Sequence, residues 1–465
     1  ITDQSVEMLK GELLQLLDEL EEIAVAGQFR SGKPVSIYIS DMDIEATYCH
    51  VAARHYRASC IETFSINSLR SADPGMFEHV KRWITSLSRF ATLISCSGEL
   101  QRIHFFKRQR AIVAELEEAG VADDQITVLV ALGTHRQQTK EETAAVCGRD
   151  MMRRLNIVQH DCHDENQLVS VGTTSYGNDV RLNRLAVEAD TVILTGAVSF
   201  HDMAGFGGGR KAVLPGIAGY DTIMTNHALA LNPDCPYGMD PRCDAGKLSD
   251  NPIHCDMMEG AAFLKPAFLV NLVLTAEGKL HDVVSGDWQT AWQEGCRRLL
   301  ALDGVPIEHL SDVVIGSAGG HPKDINLYQA TKAHMNAVFA VKPGGILILA
   351  MACPDMYEPA DFTDWFFRDD LDEVLSAVRQ HFTIPAFSAY KTRCLIRMMK
   401  EVYIVTDRAY FEVIRRTGEI PAETMEEAWQ MAQKTLQAEN KTDYTVTVMP
   451  YAAATLPVYQ KRDRS

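Results

Sequence analysis

Apolar and polar positions along the chain fall into two alternating patterns. Six short, nearly uninterrupted apolar runs occur at 91–96 (ATLISC), 126–132 (ITVLVAL), 191–198 (TVILTGAV), 268–274 (FLVNLVL), 312–316 (DVVIG) and 345–350 (GILILA). Each ends in a glycine-bearing or polar loop, which is how strands buried on both faces of a parallel sheet read. Between them, segments at 107–119, 140–155, 288–300 and 330–341 carry apolar residues at helical spacing. The alternation predicts a doubly wound α/β fold. Near the start, Met8, Leu9, Leu13, Leu16, Leu17 and Leu20 recur at helical spacing, as in a helix that covers a core.

A chain of 465 residues is too long for one ordinary core. The helical segment 288–300 gives way near 300–312 to a turn-rich stretch and a new strand, which marks a boundary. The expected architecture is therefore two α/β domains with mainly parallel sheets and the active site in the cleft between them. Residues 1–305 would carry the lysine- and histidine-bearing loops, and 306–465 would add substrate-binding residues.

Composition narrows the function classes. No segment approaches the roughly 18 continuous apolar residues that cross a bilayer, and the first residues are acidic and amphipathic where a signal peptide is basic and then apolar. A cytoplasmic protein without membrane partners is expected. The 11 cysteines form no C-x-x-C pair, which favours reduced thiols over a zinc site or a disulfide framework. A net charge of -17 argues against nucleic acid as partner and requires that the cations serving an anionic substrate be local.

Ligands of open α/β sheets bind beyond the carboxyl ends of the strands, so polar residues that follow an apolar run carry most weight. ITVLVAL leads into GTHRQQT, which holds His135 and Arg136. TVILTGAV leads into SFHDMAGFGGGRKAVLPG, which holds His201 and Lys211, and the two remaining loops are SGELQR and SAGGHPKDINLYQATK. GFGGGRK suggests backbone N–H groups approaching an anion. It is neither a Walker loop, since Arg210 precedes Lys211 and Ala212 follows, nor a G-x-G-x-x-G fingerprint. Each histidine alone reads equally as a hydrogen-bonded structural residue, and Lys211 alone as a solvated cation.

Together, four segments resemble the nickel-pincer-dependent lactate racemase family: ALGTHR (131–136), HDMAGFGGGRKAVLPGIAGYDTIMTNH (201–227), DNPIH (250–254) and GGHPKDINLYQATK (319–332). The resemblance implies a racemase or epimerase of 2-hydroxy acids. Its cofactor would be a nickel-pincer nucleotide, a nicotinic-acid-derived mononucleotide with two sulfurs and a carbon-bound nickel, attached to Lys211 through a thioamide. It also implies His227 as the nickel ligand and His135 and His201 as paired acid–bases. Gly207, Gly208, Gly209, Arg210 and Glu99 would lie against the cofactor, and Arg102, Tyr328, Gln329 and Lys332 near the substrate, Arg102 and Lys332 holding its carboxylate. Separate maturation proteins would have to supply the nucleotide.

Two positions depart from the family's pattern. Glu99 to Arg102 reads Glu-Leu-Gln-Arg where Asp-x-Thr-Arg is usual, and Gly207 stands where serine is common. The first departure opens the substrate question, so a longer sugar acid is the alternative to a short hydroxy acid. A non-catalytic anion binder and a histidine-rich metallohydrolase are the readings from other classes.

Overall fold

The computed structural model describes residues 111–459 apart from 277, 322 and 442, together with the backbone of the strands Ser36–Ser40, Tyr48–Ala52 and Phe90–Ser95. The helix expected near residues 8–20 lies outside the described residues. All six apolar runs form strands. β1 (Phe90–Ser95), β2 (Ile126–Ala131), β3 (Asn156–Gln159), β4 (Thr191–Val198), β5 (Phe268–Leu274) and β6 (Leu280–Gly286) make one sheet in the order β6-β5-β4-β1-β2-β3. Every pairing is parallel except β5 with β6. β4 lies inside the sheet and is buried at every residue, as its unbroken apolar run requires.

A second sheet, parallel throughout, takes the order β10-β9-β8-β7-β11 from β7 (Ser311–Ser317), β8 (Val341–Ala350), β9 (Glu401–Val405), β10 (Ile420–Ala422) and β11 (Val446–Met449). The fold is thus mixed α/β with mainly parallel sheets. Among the described residues no helix is long and apolar enough to cross a membrane, and the cysteines among those residues are free and mostly buried.

The helices that matter for the site are α1 (Lys140–Cys147), α2 (Tyr220–Ala228), α3 (Pro252–Leu264), α4 (Trp288–Asp303), α5 (Leu327–Ala337) and α6 (Ile384–Met398). Polar caps set several of their starts. Asn251, Asp287 and Asn326 each accept a first-turn N–H at α3, α4 and α5. Thr139 and Glu142 close a reciprocal capping box on α1. The cores are not partitioned by sequence position. Ala386, Phe387, Tyr390 and Cys394 of α6 pack with Leu194, Leu214 and Trp292 of the first sheet's core, while Ala389 and Ile396 of the same helix pack with Leu347 and Leu349 of the second.

Candidate active site

β2 runs into a turn at Gly133, whose φ of +56° suits glycine, and the Gly133 N–H donates to the Gly216 carbonyl at 2.9 Å. This bond ties the His135 loop to the end of the glycine loop. Protein crowds His135 while its ring stays open to solvent, as on the wall of a recess. Burial, then Lys211, then Lys332 push its pKa below the usual histidine range, and solvent contact tempers that push.

β4 leads directly into a two-residue hairpin, Phe200–His201 against Gly205–Phe206. Across its turn the N–H groups of Met203 and Ala204 both donate to His201 Nδ1 at 3.2 Å. A nitrogen that accepts two bonds carries no proton, so the neutral ring holds its proton on Nε2. Asp202 Oδ1 lies 3.5 Å from the same Nδ1. Burial first, then Lys211, His227, Lys332 and Arg210, hold the pKa of His201 well below the histidine range.

The glycine loop is packed from behind. Gly207 N–H donates to the Ser199 carbonyl at 2.7 Å and Gly209 N–H to Asn271 Oδ1 at 2.8 Å, while Trp292 Nε1 donates to the Gly207 carbonyl at 2.9 Å. A Cβ at Gly209 would lie 2.4 Å from the Trp292 ring, and one at Gly208 would lie 2.7 Å from Asn271 Oδ1. Arg210 is wholly buried over Trp292, 4.0 Å from the ring centroid, and donates to the Phe206 carbonyl at 2.7 Å and the Ala204 carbonyl at 2.8 Å. The structure therefore puts Gly207, Gly209 and Arg210 to work inside the loop, where the sequence suggested an outward anion cradle. Burial drives the guanidinium down to about 9. Lys211, next in the chain, keeps some exposure, and burial, then Arg210, push its amine down to about 7 against the opposing pull of Asp202.

His227 occupies the last turn of α2 and is 2 % exposed. Its Nδ1 lies 3.0 Å from the Ile223 carbonyl, which can only accept, so Nδ1 carries the proton and Nε2 keeps a free lone pair. Burial, then Lys211, depress its pKa to about 3. A buried polar cluster anchors this turn: Asp256 of α3 accepts from Asn226 at 2.7 Å, Asn178 at 2.9 Å and Thr174 at 2.5 Å. The DNPIH motif proves architectural. Asn251 caps α3 and its side-chain amide donates to the Met203 carbonyl at 2.9 Å.

The second sheet contributes α5. Lys332 Nζ donates to Gln329 Oε1 at 2.7 Å, and the Tyr328 ring lies 5.1 Å from that of Phe362. Burial raises the phenol pKa of Tyr328. Lys332 is open to solvent yet crowded, and burial, then Lys323, push it down to about 8. Lys332 acts electrostatically on His135, His201 and Lys211, and Lys211 acts on His135, His201 and His227. The structure thus brings together His135, His201, Lys211, His227 and Lys332, with Gln329 and Tyr328 beside Lys332. Glu99 and Arg102 lie outside the described residues. Sequence reasoning missed Asp202, whose charge acts on Lys211, Lys332 and Tyr328, although it adjoins His201 in the quoted motif. Among the described residues no group of three or more His, Cys, Asp or Glu is placed to hold a metal ion.

Histidines and lysines gathered beyond the strand ends of a parallel-sheet α/β fold lie where enzymes of this architecture bind their ligands. The lactate racemase N-terminal domain matches residues 104–236 and the lactate racemase C-terminal domain matches 307–456. The lactate racemase of Thermoanaerobacterium thermosaccharolyticum is 32% identical over 323 residues, 68% of this chain and 74% of that protein. That of Lactiplantibacillus plantarum is 34% identical over 317 residues, 67% and 72% of the two chains. The structure of the T. thermosaccharolyticum lactate racemase apoprotein superposes with a TM-score of 0.75 at 25% identity, covering 92% of this chain and 95% of that one. A Thermotoga maritima protein shares the fold at a TM-score of 0.57 and 17% identity, over 82% and 98% of the two chains. The chain belongs to the lactate racemase family, and is an isomerase of the racemase type.

Proposed function

We propose that this chain racemises 2-hydroxy acids in the cytoplasm, working with a nickel-pincer nucleotide held through Lys211, in a cleft between the units 1–305 and 306–465. The observation that carries the reading is that Lys211 and Lys332, from different sheets, act on the same histidines. The donor set fits the cofactor. His227 offers an Nε2 lone pair, a good ligand for Ni(II), and Lys211 has an amine that is substantially neutral near pH 7, as attachment requires. When bound, the group would take up and return a hydride at the substrate carbinol carbon, chemistry no side chain supplies.

The chain's own residues handle the proton and the carboxylate. Lys332, steadied by Gln329, and Arg102 would hold the carboxylate, with Tyr328 beside them and Glu99 toward the cofactor. With the carboxylate fixed, inversion carries the substrate oxygen from one side of the site to the other, so the ring that accepts the hydroxyl proton differs from the ring that returns one. Each turnover then begins with one of His135 and His201 neutral and the other protonated, and ends with the two exchanged. His201 Nδ1 accepts from Met203 and Ala204 at rest; to take the hydroxyl proton at Nε2 the neutral ring would carry its own proton on Nδ1, where Asp202 Oδ1 at 3.5 Å is the acceptor.

Separate maturation proteins would supply the nucleotide, so the chain expressed alone is expected as apoprotein. Intact-mass spectrometry of matured protein should show a sulfur-containing adduct on Lys211. His201→Ala should keep the adduct and lose turnover, whereas Lys211→Ala should lose both; equal loss of adduct in the two variants would refute this division of labour. Chiral chromatography over a panel of short hydroxy acids and aldonates then fixes the substrate, and turnover of aldonates alone would refute the short-acid reading.

A further inference from the structure

Lys391 stands outside every role given so far. It projects from α6 and is only 7 % exposed, and a buried ammonium is tolerated only when paired and hydrogen-bonded. Its Nζ donates to the Asp202 carbonyl at 2.5 Å, to Asp244 Oδ1 at 3.1 Å and to the Cys243 carbonyl at 3.5 Å. Asp202 opens the turn whose Met203 and Ala204 N–H groups occupy His201 Nδ1. The same turn is gripped from another side at the Met203 carbonyl by Asn251. A cation 189 positions further along the chain therefore fixes the Asp202–Met203 peptide, whose N–H donates to His201 Nδ1.

We propose that Lys391 is a positioning residue for His201: by holding the Asp202 carbonyl it fixes the turn whose two N–H donors sit on Nδ1, and so fixes the direction in which the ring's Nε2 points. This deepens the acid–base assignment of His201 and rests on it for its catalytic consequence, though not for its geometry. Methionine matches the lysine stem, so a purely packing role would survive Lys391→Met with the ring's tautomer unchanged. Loss of the grip instead frees the turn, so that the ring loses its fixed direction and, as the readout of that loss, its proton distributes over both ring nitrogens.

The test uses the full chain. Nitrogen-15 NMR of histidine-labelled apoprotein should show His201, assigned by the peak lost in His201→Asn, in the Nε2–H form. In Lys391→Met it should become a mixture of tautomers while His135 is unmoved. In the matured enzyme the same variant should lower kcat ~10- to 100-fold, the scale of a small misplacement of a reacting group, with little change in KM. Lys391→Arg, which keeps a cation and donors, should recover part of the loss. An Nε2–H ring with wild-type kcat in Lys391→Met, or a rise in KM alone, would overturn the proposal. If that variant does not fold, Asp244→Asn weakens the same grip without removing the stem, and an unchanged His201 spectrum there is equally decisive. Tautomer mixing in a matured protein that turns over no hydroxy acid would refute the proposed function and leave the positioning role standing.

Discussion

At the residue scale, what could be read from the sequence depended on distance along the chain. His135 and His201 follow apolar runs closely and Lys211 lies in the loop after one, so strand-end placement marks them as candidates without a structure, and the motif resemblance supplies their expected roles. Arg210 is adjacent to Lys211 and looks equivalent, yet its guanidinium braces the loop over Trp292, 82 positions away. Lys391 sits on a helix where a lysine is ordinarily solvated, and only the fold shows its contact with Asp202. His254 illustrates how burial rather than motif sets chemistry. Its ring lies 5.4 Å from that of Trp292 with Nδ1 buried and unpartnered, and burial, then Arg210, depress its pKa to about 3. The unfolded chain takes up this proton near 6.5 and the folded one does not until about 3, so the stability it affects is intact above 6.5 and falls as pH drops toward 3. At pH 5 the penalty is on the order of 2 kcal/mol. His254→Phe, which keeps a ring beside Trp292 and cannot protonate, should raise the urea midpoint relative to wild type at pH 5 and leave it nearly level at pH 7.5; an equal change at both would contradict the titration.

At the element scale, buried strands were legible and edge strands were not. β4 and β5 match their apolar runs to the residue because both are flanked by neighbours and covered on two faces. β3 and β6 are the sheet's edges, β3 has no buried residue, and neither shows a continuous run. The single helix expected over 140–155 is two, broken at Gly148 with φ +86°. The helix expected to reach 341 ends at Ala337, and β8 starts at Val341, crossing Pro343 by a register shift against β7. The glycine loop is where backbone and packing coincide. Gly209 has φ +55° and no room for a methyl beside Trp292, so Gly209→Ala is expected to cost about 1–3 kcal/mol in urea unfolding. Trp292→Phe in the Gly209→Ala background changes the obstructing ring and should recover part of that loss. Strict additivity of the two substitutions would show that the contact is not the cause.

At the scale of the whole molecule, the chain's two sheets are sequential while its cores are not. A division near residue 305 cuts the short strand Gly304–Ile307, which pairs with Leu456–Tyr459, but it lies between the strands of the two large sheets, since α4 ends at Asp303 and β7 begins at Ser311. It does not separate what covers them. Leu371, Val374, Val378, Phe387 and Tyr390 follow that point in sequence and pack in the core of the first sheet. Five side chains at roughly 2 kcal/mol each amount to about 10 kcal/mol of burial, as large as the net stability of an ordinary domain, about 5–15 kcal/mol. A fragment of residues 1–305 should therefore fail to form the first unit. It is expected to bind hydrophobic dye and to melt without a cooperative transition, whereas the full chain melts cooperatively. The shared helix carries a second consequence. Because α6 buries residues in both cores, loss of either should expose the other. Fluorescence of Trp292, in the first core, and of Trp429, packed against Tyr444 in the second, should report one urea transition in variants that retain only one of these tryptophans. Midpoints separated beyond error would show that the units unfold independently and that α6 does not couple them. A coincident transition would also explain why Lys391 is suited to its position: a helix that cannot leave one core without disturbing the other is a stable support for the turn bearing His201.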